Sequence, residues 1–314
     1  MDLSIITPAA PKRKPRIASL FNRLQLNAER NPDIKFEFII VDDSMDQQYK
    51  DLATAEHWKF PIKYIHLPLT EPYPNPAYMR NVGFRVAEGR VFTMIDADHW
   101  IHEDFILGAL EPFRLEPVLN TGFMIDTSKG SNFVHNGNIN NELITNSSTM
   151  SFDDCMKICG IKGPIAWNKV WLAAYPAEKF LSINGYDEKY VTGYSREDDD
   201  IYYRLASVCS GVYNQGFANF AGVHLWHPQT ARSDAKNQAN RKYYDKAMNS
   251  LSTDRNVDHE WGKFVLGATS IIDGVVRGFH SHENYVQNLG RVPGYNTHGN
   301  QPWKDFADLQ DAVA

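Results

Sequence analysis

Apolar, β-prone runs that alternate with helical spacing, several of them ending at an acidic or Thr-Pro terminus, constrain this chain more than any other feature. Leu3–Thr7 ends at Pro8, Phe36–Val41 at Asp42-Asp43, and Arg90–Ile95 at Asp96-Ala97-Asp98, while Ile62–Leu67 enters a Pro-rich loop, Pro68–Pro76. Between them Ile17, Leu20, Phe21 and Leu24 recur at helical spacing, and Ala77–Ala87 reads as a helix closed by Gly89. Such a βαβ succession predicts an α/β fold, a Rossmann-like, mostly parallel sheet flanked by helices. Ligands of such sheets bind outside the carboxyl ends of the strands. Thr7-Pro8, Asp42-Asp43 and Asp96-Ala97-Asp98 are therefore expected to meet at one edge.

Asp96 and Asp98 carry the sharpest chemical signal. If the strand continues through them, residues i and i+2 share a face and lie ~6.6 Å apart, so one divalent ion could bridge both. Hard carboxylate oxygens suit Mg²⁺ or Mn²⁺ beside a phosphorylated substrate. The 314-residue chain carries a formal charge of −6, which argues against a broad basic nucleic-acid surface. Lys12, Arg13, Lys14 and Arg16 form its one dense basic cluster, read as a solvated loop. Three cysteines without CxxC spacing fit a reducing cytoplasm rather than a disulfide framework or a zinc site. The N-terminus has no secretory pattern and no uninterrupted apolar stretch is long enough to span a bilayer, so a cytoplasmic protein without a transmembrane segment is expected.

A second acidic cluster, Glu197-Asp198-Asp199-Asp200, opens a helix running through Ile201 and Leu205, with Ser195 as the expected N-cap. Four adjacent carboxylates repel one another, so a cationic or polar partner is expected beside them. At ~100° per residue, Glu197 and Asp198 fall ~50° either side of the buried stripe, Asp199 nearly opposite it and Asp200 between. Glu197 and Asp198 are thus the site candidates. Downstream, Gly222-Val223-His224-Leu225-Trp226-His227 offers two imidazoles after a β run; His224 is favoured as a metal ligand and His227 is kept in reserve.

Taken in order, Asp42-Asp43-Ser44, Arg80-Asn81-Val82-Gly83-Phe84-Arg85 and Ile95-Asp96-Ala97-Asp98 resemble the successive motifs of GT-A fold glycosyltransferases, particularly the inverting family 2. Asn184-Gly185-Tyr186-Asp187-Glu188 with Gly193–Ile201 resembles the acceptor-side segment of β-1,4-galactosyltransferases, polypeptide N-acetylgalactosaminyltransferases and chondroitin polymerase. The resemblance covers roughly residues 3 to 228. It implies a nucleotide pocket lined by Thr7 and Pro8, with Asp43 reading the base and Arg80 near the nucleotide. It further implies Asp96 on ribose or metal-bound water, Asp98 and His224 on the metal, Asp198 as general base and Glu197 on the acceptor hydroxyl. Tyr194-Ser195-Arg196 stands where galactosyltransferases carry Trp-Gly-Gly, so the acceptor platform differs. Tyr194 and Trp167 are aromatic candidates for stacking on the acceptor.

The expected organisation is a catalytic domain over 1–228, with a nucleotide-sugar half (1–119) and an acceptor half (120–228), followed by a helical and aromatic extension over 229–314. The expected reaction is metal-dependent, inverting transfer from a nucleoside-diphosphate sugar, a UDP-sugar by resemblance, to an acceptor hydroxyl, with Mn²⁺ or Mg²⁺. The acceptor stays open among a saccharide, a protein, a lipid-linked precursor and, for a viral chain, a modified nucleobase. A sugar-1-phosphate nucleotidyltransferase would need a glycine-rich loop after the first strand, and Pro8-Ala9-Ala10-Pro11-Lys12 has none. A non-catalytic nucleotide-sugar binder is the remaining alternative, but it has no use for an inward acid pair.

Overall fold

The computed structural model describes residues 1–10, 14–44, 46–67, 76–126, 134–135, 138–139, 150–158, 167–190, 196–214, 219–225, 234–262, 269–272 and 275–278. Its strands are β1 (Leu3–Ala9), β2 (Phe36–Asp42), β3 (Ile62–His66), β4 (Val91–Met94), β5 (His99–Ile101), β6 (Leu119–Asp126), β7 (Val134–His135), β8 (Asn138–Ile139), β9 (Trp167–Pro176), β10 (Val212–Asn214), β11 (Ala221–His224), β12 (Thr269–Ile272) and β13 (Val275–Gly278). The helices are α1 (Lys14–Arg30), α2 (Lys50–Ala53), α3 (Pro76–Arg85), α4 (Phe105–Leu110), α5 (Phe152–Ile158), α6 (Ala177–Ser182), α7 (Glu197–Val208) and α8 (Asp234–Asn249).

Among the described residues the main sheet runs β13-β12-β3-β2-β1-β4-β9-β6-β11-β5, with β10 also on β6. Strands β3, β2, β1 and β4 are parallel, β9 is antiparallel to both β4 and β6, and β11 is parallel to β6. Every residue of β2 is buried, because helices cover both faces of the parallel half; its near-continuous apolar run follows from that. The odd and even positions of β1 feed different cores, Leu3 and Ile5 packing with α1, Ile6 with α3.

Register brings the predicted edge together. Ala9 pairs with Asp42, so β1 and β2 end level, while β4 ends at Met94 opposite Ile6, three residues short of the end of β1. Helix α3 lies close on this sheet because Gly83 has no side chain: a Cβ there would come within 2.6 Å of Ile6 Cγ2. That close approach carries Arg80 toward the strand ends.

Three expectations need correction. The Asn-, Ser- and Gly-rich composition from about Asn120 to Ile161 suggests loops or short strands laid over the sheet, but Leu119–Asp126 is a central strand within it, between β9 and β11. The helix expected over 77–87 stops at Arg85, with Val86 and Ala87 bonded back to Gly83 and Phe84 in a turn. The extension after Pro228 supplies strands as well as a helix: β12 pairs antiparallel with β3 at the sheet edge. Tyr285, Tyr295 and Trp303 lie outside the described residues.

Candidate active site

Asp42 and Asp43 are adjacent but do different work. The Asp42 carboxylate accepts hydrogen bonds from the Ser44 and Tyr49 amides (2.8 and 3.4 Å) and the Tyr64 hydroxyl (2.7 Å). His66 Nε2 donates to the Ser44 carbonyl at 2.7 Å, fixing the same loop. Asp43 is buried, and its Oδ1 has no hydrogen-bond partner among the described residues. Burial first, and the neighbouring Asp42 second, push its carboxyl up to about 7. Thr7 is fully buried, and its hydroxyl donates to the Ile95 carbonyl at 2.8 Å, so its side chain ties β1 to the turn after β4.

That turn departs from the extended geometry expected for Asp96-Ala97-Asp98. Strand β4 ends at Met94; the chain turns through 96–98, with His99 N bonded to Asp96 O, and resumes as β5. The turn, rather than strand alternation, gathers the ligands. Asp96, Asp98 and His99 each offer an atom within 4.8 Å of the others'. His99 is the residue that motif spacing missed: it follows the Asp-x-Asp directly, but it reads as a strand residue until β5 is paired. Antiparallel pairing of β5 with β11 sets His99 opposite His224, whose Nε2 lies 3.6 Å from Asp98 Oδ1. Two carboxylates and two imidazoles fit a divalent cation of intermediate hardness.

Opposite this turn stands the start of α7. Arg80 is almost fully buried and its guanidinium reaches Asp198 at 2.7 Å, Glu197 at 3.4 Å and Asp96 at 3.4 Å, linking the two acidic clusters. Burial pushes the Asp198 carboxyl up, to about 8, with Arg80 opposing and Glu197 and Asp96 adding to the rise. Its side chain keeps 22% exposure, so it faces the open side of the cluster.

Of the four carboxylates, Glu197 and Asp198 both reach Arg80, whereas Asp200 departs from the helical wheel. Asp200 is fully buried, not intermediate, paired with Arg204 at 2.7 Å and Arg255 at 3.0 Å. The wheel knew one buried stripe, whereas a segment from beyond α8 covers a second flank of the helix. Asp199 pairs with Arg196 at 2.8 Å and is about a third exposed. Each carboxylate of the cluster thus has an arginine, which meets the cation requirement from within the chain. Asp199→Asn is expected to change activity and Tm little, since an ion pair about a third exposed contributes ~0–1 kcal/mol. Asp200→Asn is expected to cost ~3–5 kcal/mol by leaving buried arginine charge uncompensated, read as a fall in Tm.

The N-cap is also one residue later than expected. Arg196 holds that position with φ 84°, a left-handed conformation that a non-glycine residue adopts at a cost, and it makes no side-chain cap bond. Ser195, Tyr194 and His227 lie outside the described residues, as does the side chain of Trp167. Trp100 is a core residue, fully buried with the Arg23 guanidinium 3.8 Å above its ring.

The model of the family described as "Glycosyl transferase family 2" matches residues 4–172, more than half of the chain. The chain belongs to glycosyltransferase family 2. A second model, the N-terminal domain of galactosyltransferase, matches residues 171–217 and so covers α7. Among solved structures, Staphylococcus aureus TarS 1–349 superposes with a TM-score of 0.51 at 15% identity, covering 78% of this chain and 64% of that one. The mannosyltransferase PcManGT from Pyrobaculum calidifontis, in complex with GDP-Man and Mn²⁺, gives 0.49 at 15% identity, covering 79% and 64%. The chain therefore spans just under two thirds of each of these proteins, and the likeness to TarS shows the GT-A fold alone. No curated protein matches the chain. No helix among the described residues is long and apolar enough to cross a membrane.

Proposed function

We propose that this family 2 chain transfers a sugar from a nucleoside-diphosphate donor, a UDP-sugar, to an acceptor hydroxyl with inversion. The observation that carries this reading is the Arg80 bridge between Asp96 on the donor-side turn and Asp198 at the start of α7. It sets a base with a raised pKa directly across from a cluster suited to a metal-bound diphosphate.

In this reading Asp43 Oδ1 accepts from the single N–H of uracil. Asp98 and His224 hold the cation, with His99 and Asp96 within reach of it; a mixed carboxylate and imidazole set suits Mn²⁺ better than Mg²⁺. When bound, the cation would neutralise charge developing on the departing diphosphate. Glu197 orients the acceptor hydroxyl and Asp198 removes its proton as the oxygen attacks the anomeric carbon. The new C–O bond forms on one face while the bond to the diphosphate breaks on the other, its electron pair leaving on phosphate oxygen. The acceptor-side half takes in α7, with Tyr194 and Trp167 as the aromatic platform.

The test is nucleotide release from a panel of nucleotide sugars with and without Mn²⁺, and with saccharide, lipid-linked and peptide acceptors. Metal-dependent UDP release that grows with an acceptor supports the reading. Tight binding of UDP with neither hydrolysis nor transfer across the panel would instead favour a binding protein.

Asp43 adds a pH signature. An ionised carboxylate is the better acceptor for the uracil N–H, so UDP affinity is expected to fall as pH drops through about 7. Calorimetry on Asp43→Asn should show a smaller loss of affinity than wild type as pH drops through about 7. Because the folded-state pKa is raised from 3.8 to about 7, the buried carboxyl costs stability progressively as pH rises through that interval, a cost fully present above neutrality and absent in stronger acid. The same variant should thus gain Tm above neutrality and not at low pH.

A further inference from the structure

Residues 250–262 lie beyond both family matches, which end at residues 172 and 217, yet they meet the helices on both sides of the Arg80–Asp198 pair. We infer that this strap braces the active site and that Arg255 is a positioning residue for the general base. The inference rests on the reading of Asp198 given above.

The contacts with α7 are ionic and buried. Arg255 Nη2 donates to Asp200 Oδ1 at 3.0 Å, and its Nε lies 3.1 Å from Asp187 Oδ2. Its Nη1 donates to the carbonyls of Ser252 and Asp254, at 2.8 and 3.1 Å, which fixes the guanidinium within its own loop. Asp187 and Asp200 are both fully buried, and Tyr243 from α8 donates to Asp187 at 2.7 Å. Asp200 stands two residues past Asp198 in the first turn of α7, where its own amide is bonded to Arg196 O. Arg255 therefore fixes the turn that presents Asp198.

Contacts with α3 complete the brace. Asn256 donates to the carbonyls of Asn184 and Tyr186 and accepts from the Glu188 amide at 3.0 Å. Glu188 Oε1 accepts from Asn81, the neighbour of Arg80, and from the Gly262 amide, both at 2.7 Å. Arg85, one helical turn further, donates to the Trp261 carbonyl and lies 3.8 Å over its ring. One segment thus fixes the helix carrying Arg80 and the helix carrying Asp198, and so the separation of the two. The donor-side groups Thr7, on β1, and Asp43, just past the end of β2, take no part in these contacts.

Separate effects on donor binding and on turnover follow from that division. With the full chain, Arg255→Ala is expected to lower kcat for transfer ~10²-fold, the penalty of a misplacement of about 1 Å, while UDP affinity by calorimetry stays at the wild-type value. Methylguanidinium should restore part of the lost kcat, and methylammonium at equal ionic strength should restore less; a variant that is simply unstable would be harmed by guanidinium. Arg255→Lys, which keeps the charge, should fold if Arg255→Ala does not and should show a smaller kcat loss with the same intact UDP affinity. Wild-type kcat in both variants, or UDP affinity lost in step with kcat, overturns the inference. If the wild-type chain itself transfers no sugar, the base assignment fails, and amide exchange decides the brace: it stands if Asp200–Arg204 exchange faster in the variant and falls if they do not.

Discussion

Asp198→Asn is expected to lower kcat by ~10²–10⁴-fold, the usual worth of general-base assistance, with donor affinity and Tm close to wild type. Asparagine keeps the shape and can still accept from Arg80, so the buried guanidinium stays partly satisfied. What is lost is proton uptake. Glu197 cannot substitute, because its side chain is 10% exposed against 22% for Asp198 and it sits further from the open face. The pH profile gives a second readout. Burial raises the Asp198 carboxyl to about 8, so kcat/KM for the wild type should climb with pH on its acidic limb as the carboxylate ionises. Asp198→Asn should lose that limb. A variant retaining both the wild-type rate and the limb would falsify the assignment of Asp198 as base and return Glu197 to consideration.

The second large effect is expected at Asp98. Asp98→Asn should raise the Mn²⁺ concentration needed for half-maximal transfer by more than the ~10–100-fold typical of a disturbed outer-shell partner, because it removes a direct ligand charge. His224→Ala and His99→Ala should also weaken Mn²⁺ binding, measured without turnover by the loss of free Mn²⁺ signal in electron paramagnetic resonance with UDP present. His99 matters most for the site's composition. It is fully buried, with a ring nitrogen within 4.8 Å of a carboxylate oxygen of both Asp96 and Asp98, so an effect equal to that at His224 would make four side chains responsible for the ion. Mn²⁺ affinity untouched by Asp98→Asn would place the ion elsewhere.

Much of this site was legible before any fold was known. Asp96 and Asp98 were read as metal-ligand candidates from their place after a strand, and the turn there brings ligand atoms of Asp96, Asp98 and His99 within 4.8 Å of one another. Arg80 was placed near the Asp-x-Asp turn by resemblance; that it also holds Glu197 and Asp198 was not visible, since no periodicity links residues 118 apart. The wheel for α7 failed at Asp200 for the same reason: its partner Arg255 comes from 55 residues away. His99 was hidden by a local ambiguity, because a residue just past a motif reads equally well as the start of the next strand.

Sequence alone determined the alternation of strands and helices up to Ile95 and the identity of the two acidic clusters. These depend on apolar spacing and on strand direction, which are local and periodic. Tertiary structure decided what each carboxylate is for. Asp42 and Asp43 are chemically identical neighbours, yet Tyr64 and the loop amides use up the first and leave an oxygen of the second without a partner among the described residues. Asp198 and Asp200 share one helical turn, yet one meets Arg80 at the open site and the other is locked between Arg204 and Arg255. A carboxylate's role depends on its burial and its hydrogen-bond partners, and distant parts of the chain supply both.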